Sequence, residues 1–208
     1  YRYDPVDAGR RSLRNLCLAY LLAVEPGGRV EPDLLAPGLT QYREAGNMTD
    51  TMAALTAVVN ADLDAGTQLL ADFHERWQHD PLVVDKWLAL QAGCTLPGTL
   101  ERVRRLTAHP SFTYRNPSKV RSLIATFGAT NHSQFHAADG SGYAFLGDQV
   151  ALLDERNPQI AARMLTPLTQ WQRYDTGRQE LMRAQLERLA ARPALSDDVR
   201  EVVIRSLA

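Results

Sequence analysis

Two cysteines in 208 residues, Cys17 and Cys94, are too few and too far apart for a disulfide framework or a zinc knuckle. Both lie in apolar contexts, so they read as buried free thiols, which suits a reducing compartment. No apolar run approaches the roughly 20 residues that span a bilayer, and no basic start precedes an apolar core as in a signal peptide. Charge imbalance is missing as well. A formal net charge of -1, with both signs mixed along the chain, gives no electrostatic case for nucleic acid or an acidic membrane surface. Two-residue alternation rich in β-branched residues is absent too, which excludes a sheet. The first residue is Tyr1, as expected of a piece of a longer protein.

What is present is helical periodicity. The length suits one domain or two small ones, and 45% hydrophobic with 23% charged residues describes an ordinary globular protein. Leu13, Leu16, Cys17, Tyr20, Leu21 and Val24 fall on one helix face, expected to turn inward and to end at Pro26-Gly27-Gly28. From Val30 to Ala45, Pro32 and Pro37-Gly38 predict a short or broken helix. Asn47 to Asp50 reads as a variant capping box before Leu55, Val58, Val59 and Leu63, with a further helix after Gly66. Asp80-Pro81 opens another, and Leu100, Val103 and Leu106 mark a short one. Gly128 is expected to stop the helix carrying Val120, Leu123, Ile124 and Phe127. Tyr143, Leu146, Val150 and Leu153 then make a stripe, and Pro167 bends the helix of Ile160, Met164, Leu168 and Trp171. Leu181 or Met182, Leu186 and Leu189 carry the penultimate helix, and Ser196 caps a last one with Val199, Val203 and Leu207. The expected fold is all-α, with short helices stacked in antiparallel pairs, no sheet and no strict repeat of fixed period.

The stretch from Asn116 to Trp171 stands out. Twice an Asn-Pro pair opens an apolar-periodic run, a strong cap followed by the residue best tolerated at the first helical position. Each time an arginine follows in the second turn, Arg121 after Asn116-Pro117 and Arg163 after Asn157-Pro158. Helix N-termini carry unpaired N–H groups and partial positive charge, so two such ends brought together suit a carboxylate. Solvated arginine on a polar helix face is the commonest arrangement in soluble proteins, so the pattern alone favours that reading over an anion site.

Catalytic motifs are scarce. His74-Glu75-Arg76-Trp77-Gln78-His79 approaches the His-Glu-x-x-His of zinc peptidases, but position i+4 is Gln78, and His79 at i+5 is rotated off the face of His74. His132 and His136 have metal-ligand spacing on a segment with room for only a turn or two, so a structural or capping role is expected. Gly140-Ser141-Gly142 follows no strand and reads as a turn before a helix starting near Tyr143. No Gly-x-Ser-x-Gly elbow occurs.

R-S-L-I at Arg121, F-H-A-A-D-G-S-G-Y-A-F-L from Phe135 and N-P-Q-I-A-A-R ending at Arg163 occur here in the same order as in the C-terminal helical domain of bacterial aminopeptidases N, of the M1 family of zinc metallopeptidases. The chain resembles that domain nearly throughout, including A-G-R-R-S-L-R-N-L-C-L-A-Y-L at residues 8 to 21, G-N-M-T-D at 46 to 50 and P-L-V-V-D-K-W-L-A-L-Q-A at 81 to 92. The resemblance implies a HEAT- or armadillo-like superhelix over residues 1–208, a single C-terminal domain whose catalytic domains lie upstream. It implies a lid enclosing a chamber that admits short peptides. Arg121, Gln159 and Arg163 would contact the downstream or C-terminal end of the substrate. No catalytic residue and no metal ligand would belong to this chain, zinc being bound in the parent enzyme, so the fragment alone would be inactive. The implied setting is cytoplasmic and monomeric, partnered by the upstream catalytic domain and peptide substrates, with no nucleic acid or membrane. Asn131-His132, where that family has a further Asn-Pro, keeps the cap without the preset φ of proline. A free-standing helical scaffold that binds a protein or peptide without chemistry is the alternative.

Overall fold

In a computed structural model the described residues are 3–23 and 30–208. All regular structure among them is helical, with no strand. The chain forms two compact units, Tyr1–Trp87 and Leu88–Ala208, and the division falls inside one helix.

The first unit holds α1 (Pro5–Leu21), α2 (Pro32–Glu44), α3 (Met48–Ala61), α4 (Leu63–Trp77) and the start of α5 (Pro81–Ala92). Helix α1 begins earlier than its apolar pattern, because Asp4 accepts from the Asp7 N–H and Pro5 occupies the first position. Its inner face is not the expected one. Leu18 and Leu22 are buried, whereas Leu13, Leu16, Cys17, Tyr20 and Leu21 are exposed, so Cys17 is no buried thiol. Val24 and the Pro26-Gly27-Gly28 stop lie outside the described residues.

Helix α2 is also longer than expected, continuous through Pro37. Pro32 serves as its first residue, and Asp33 and Pro37 line an open groove, where water can take the bond that Pro37 cannot make. Beside it, Gly38 packs so closely that a Cβ would lie 2.8 Å from Val58 Cγ2 and 2.9 Å from Leu22 Cδ1. The turn between α3 and α4 falls at Asp62, which accepts from the Ala65 N–H at 2.8 Å, while Gly66 sits inside α4 against the Val59 backbone. The Asn47–Asp50 cap forms as a reciprocal pair: Asp50 N–H donates to Asn47 Oδ1 at 2.9 Å and Asn47 Nδ2 donates to Asp50 Oδ2 at 2.8 Å.

The second unit continues α5 and adds α6 (Thr99–Leu106), α7 (Pro117–Val120), a π turn (Arg121–Ala125), α8 (Thr126–Thr130) and α9 (His132–Phe135). It closes with α10 (Ser141–Asp154), α11 (Pro158–Met164), α12 (Thr166–Thr169), a 3-10 turn (Trp171–Arg173), α13 (Thr176–Ala190) and α14 (Asp197–Leu207). Helix α10 is the centre: Tyr143, Leu146, Val150 and Leu153 are all buried, and α11 and α13 pack against it. Edge-to-face rings of Phe127 with Phe135 (5.9 Å) and Phe145 (5.7 Å) tie α8 to α9 and α10. Asp154, at the last turn of α10, accepts from the Ser196 N–H at 3.0 Å and from its hydroxyl, fixing the cap of α14. Gly128 does not stop its helix; it lies within α8, where its missing side chain admits Leu146 and Pro167. Pro167 ends α11 rather than bending it, since the chain breaks at Leu165 and restarts as α12.

Candidate functional site

Both Asn-Pro starts form as read. Asn116 accepts from the Ser118 N–H at 2.9 Å and Asn157 from the Ile160 N–H at 3.1 Å, with Pro117 and Pro158 in the first turn. Arg121 opens the π turn, donating through its guanidinium to Ser118 Oγ at 3.2 Å, while Thr126 Oγ1 donates to the Arg121 carbonyl at 3.3 Å. Such turns insert one residue into a helix and re-aim the side chains that follow. Gln159 is exposed in the first turn of α11. Arg163 is exposed too, but α11 is seven residues long, so this arginine stands in its last turn and not at its mouth. There the Thr166 hydroxyl donates to the Arg163 carbonyl at 3.0 Å, and buried Ala161, Met164 and Leu165 hold the segment down.

The two arginine-bearing segments run into a common contact. A Cβ placed on Gly128, about two helical turns beyond Arg121, would lie 3.5 Å from Cγ of Pro167, about one turn beyond Arg163. Among the described residues neither guanidinium pairs with a carboxylate, in contrast with Arg178 on Asp175, Arg183 on Glu187, Arg188 on Asp148 and Arg192 on Glu155 in the same unit. The charges of Arg121 and Arg163 are therefore uncommitted, which is what an incoming anion needs.

A second polar cluster was not legible from sequence. His136 Nδ1 lies 2.8 Å from the Tyr143 hydroxyl, its ring stacks on Tyr174 at 4.3 Å, and Arg178 Nε donates to its carbonyl at 2.9 Å. Burial pulls the His136 pKa down, with the charges of His132 and Arg178 adding to it; burial pushes Tyr143 up to about 12. These residues lie up to 42 positions apart, and no local spacing joins them. Tyr143 is fully buried while His136, Tyr174 and Arg178 are half-buried, and the cluster ties the end of α9 to α10 and α13.

The near-match to a zinc-peptidase motif at His74 does not form one. Helix α4 ends at Trp77, so Gln78 and His79 lie past it and share no helix face with His74, whose ring packs 4.5 Å from that of Trp87. Among the described residues no three His, Cys, Asp or Glu stand close enough to hold a metal ion.

A model of the family described as "Domain of unknown function (DUF3458_C) ARM repeats" matches residues 1–208. The chain belongs to the DUF3458_C family. ARM repeats are stacked short helices, in agreement with the all-α reading. Aminopeptidase N of Escherichia coli K12 is 44% identical over 208 residues, all of this chain and 23% of that protein. Aminopeptidase N of Haemophilus influenzae is 43% identical over 207 residues, again all of this chain and 23% of that protein. The crystal structure of Legionella pneumophila aminopeptidase A in complex with aspartic acid superposes with a TM-score of 0.90 at 32% identity, over 99% of this chain and 24% of that one. This DUF3458_C chain thus spans about a quarter of the length of the relatives it matches, and the resemblance to the C-terminal helical domain of aminopeptidases N is shown.

Proposed function

We propose that this chain is the lid of a zinc aminopeptidase N, closing a chamber over an upstream catalytic domain of the same polypeptide and holding the downstream end of the peptide substrate. The observation that carries the reading is the match over all of this chain, at 44% identity, to 23% of an aminopeptidase N. Zinc and the bond-breaking residues belong on this reading to the part of the polypeptide outside the chain; among the described residues no group of three His, Cys, Asp or Glu stands close enough to hold a metal ion. The chain's own contribution is binding. Arg121 and Arg163 offer charge-assisted, bidentate hydrogen bonds to the C-terminal carboxylate, and Gln159 offers an amide to the neighbouring backbone. A hydrogen bond to a charged group contributes about 1.5–3 kcal/mol, roughly 10- to 100-fold in KM if it is made equally in ground and transition states.

The setting we propose is cytoplasmic and monomeric. Neither cysteine is in a disulfide, and no helix among the described residues is long and apolar enough to cross a membrane. The experiment is a peptidase assay on the 208-residue chain beside the intact polypeptide, each with and without zinc. Hydrolysis by the intact polypeptide alone, lost on chelation, is the expected result; zinc-independent hydrolysis by the chain itself would overturn the reading.

A further inference from the structure

Acidic and basic residues balance over the whole chain, 24 against 23, but not within the second unit. From Arg102 to Ala138, and again from Arg156 to Tyr174, there is no Asp or Glu. The structure lays these two acid-free stretches alongside each other, in contact at two places. At one, the guanidinium carbon of Arg156 lies 5.4 Å from the centre of the Tyr114 ring. At the other, Gly128 meets Pro167 where α8 packs on α12. Arg121 lies in the chain between Tyr114 and Gly128, and Arg163 between Arg156 and Pro167. Arg115, Arg121, Arg156 and Arg163 are all exposed, and among the described residues none of the four pairs with a carboxylate. The acids nearest to Arg156 in sequence are engaged elsewhere: Asp154 accepts from the Ser196 N–H at 3.0 Å, and Glu155 accepts from Arg192 at 3.2 Å. Like charges on adjoining segments without counter-ions repel one another, and a bound anion relieves that repulsion. Arg156 is the one of the four that an aromatic ring supports. Its amide donates to the Leu153 carbonyl at 2.9 Å, which sets its backbone. Tyr114 is fixed in turn, its hydroxyl donating to Gln149 Oε1 at 2.8 Å and its ring meeting that of buried Phe112 edge-on at 4.9 Å. A guanidinium laid over an aromatic face keeps the N–H groups along its edge for an acceptor and has less freedom to lose when it binds one.

We infer that Arg156, carried on the ring of Tyr114, is a further substrate-binding residue, and that it takes the side-chain carboxylate of a glutamate or aspartate in the downstream part of a peptide. The inference rests on the reading that this chain holds the downstream end of a peptide substrate, and it names the class of peptide that end prefers. Arg121 and Arg163 receive the terminal carboxylate; Arg156 receives an acidic side chain ahead of it. A carboxylate is planar and accepts two parallel N–H···O bonds from one guanidinium edge, which a neutral amide of the same shape cannot do. A lysine or arginine at the same place in the peptide meets only like charge. Tyr114 and Gln149 act through Arg156 and are positioning residues, not contacts of the substrate.

The test uses the intact polypeptide and pairs of short peptides, amidated at the C-terminus, that differ only in carrying Glu or Gln at one position after the second. At one such position the Glu peptide should be favoured by about fivefold, with the gain in KM rather than kcat, and the preference should shrink at ~0.5 M salt. Arg156→Gln should abolish the preference, Arg156→Lys should keep part of it, and Tyr114→Leu should weaken it. Both peptides of a pair meet the same preparation, so a partly unfolded variant slows both alike and leaves their ratio readable. No Glu preference at any position, or one that survives Arg156→Gln, would overturn the inference. So would an equal loss in Arg115→Gln, which removes the same charge from the same acid-free stretch but not from the ring. Because the amide removes the terminal carboxylate, the two readings fail separately. If only this one is wrong, Arg121→Ala and Arg163→Ala still change the preference for a free C-terminus while Arg156→Gln leaves the Glu-to-Gln ratio where it was. If the chain holds no part of the peptide, none of the three moves either ratio.

Discussion

The α-carbon of Gly142 rests on the main chain of Phe135: a Cβ there would lie 2.3 Å from the Phe135 carbonyl oxygen and 2.9 Å from its carbonyl carbon. This contact seats the first turn of α10 against the end of α9, beneath the ring cluster of Phe127, Phe135 and Tyr143.

Gly142→Ala should accordingly destabilise the chain. Helix propensity alone favours alanine by about 1 kcal/mol, but forcing backbone apart in a packed core costs about 1–3 kcal/mol or more. With the cost toward the upper end of that range the contact wins, and a net loss of about 1–2 kcal/mol in urea titration is expected. An unchanged or raised midpoint would contradict the packing described.

Asn131 is buried and fully used. Its side-chain oxygen accepts from the Gln134 N–H at 3.1 Å, and its amide donates to the carbonyls of Ala92 and Cys94, each at 2.8 Å. Asn131→Ala leaves those groups without partners and should cost about 2–4 kcal/mol. Asn131→Asp keeps the cap and loses the donors, so it should fall near or below alanine.

Asp50 ties α1 to the start of α3. Burial alone would raise its pKa, but hydrogen bonds from Asn47, Arg14 and Asn15 hold the carboxyl below its ordinary value. A depressed folded pKa gives stability that is full above the unfolded value of about 3.9 and is lost as pH falls through the folded one. Asp50→Asn should therefore lower Tm at pH 7 and flatten the decline of Tm between pH 5 and pH 2. Parallel curves for the two proteins would count against this linkage.

How far the sequence carried these features varies with the physics behind them. The stripe of α10 was legible because it has one apolar side and one buried destination. On α1 periodicity marked an apolar face at Leu13, Leu16 and Tyr20, but it carries no record of whether the partner lies inside the chain, and here the buried side was that of Leu18 and Leu22. Proline chemistry pointed to a break at Pro37; the solvated groove beside it and the close packing of Gly38 outweighed that local cost. The Asn-Pro caps were readable residue by residue. The π turn at Arg121 and the early end of α11 at Met164 were not, because both depend on hydrogen-bond register and on how the next segment packs.

His136 gives a second pH signature of the same sign. Burial first, then the positive charges of His132 and Arg178, lower its pKa, while Tyr143 and Tyr174 enclose the ring and Asp175 pairs with Arg178. Stability from the neutral ring is complete above about pH 6.5 and falls away as pH drops through the depressed folded value. His136→Gln should thus show a smaller loss of Tm between pH 7 and pH 5 than the unmodified chain. An NMR titration placing His136 above 6.5 would reverse the sign and refute the account.

The central claim is that Arg121 and Arg163 hold the far end of a peptide. It is tested most directly by comparing a tetrapeptide bearing a free C-terminal carboxylate with its C-terminal amide, using the intact polypeptide and its Arg121→Ala and Arg163→Ala forms. The unmodified polypeptide should favour the acid over the amide in kcat/KM by about 10-fold or more, and each substitution should erase most of that preference while leaving an amino-acid arylamide nearly unaffected. A preference that survives both substitutions, or an equal loss on the arylamide, would contradict it.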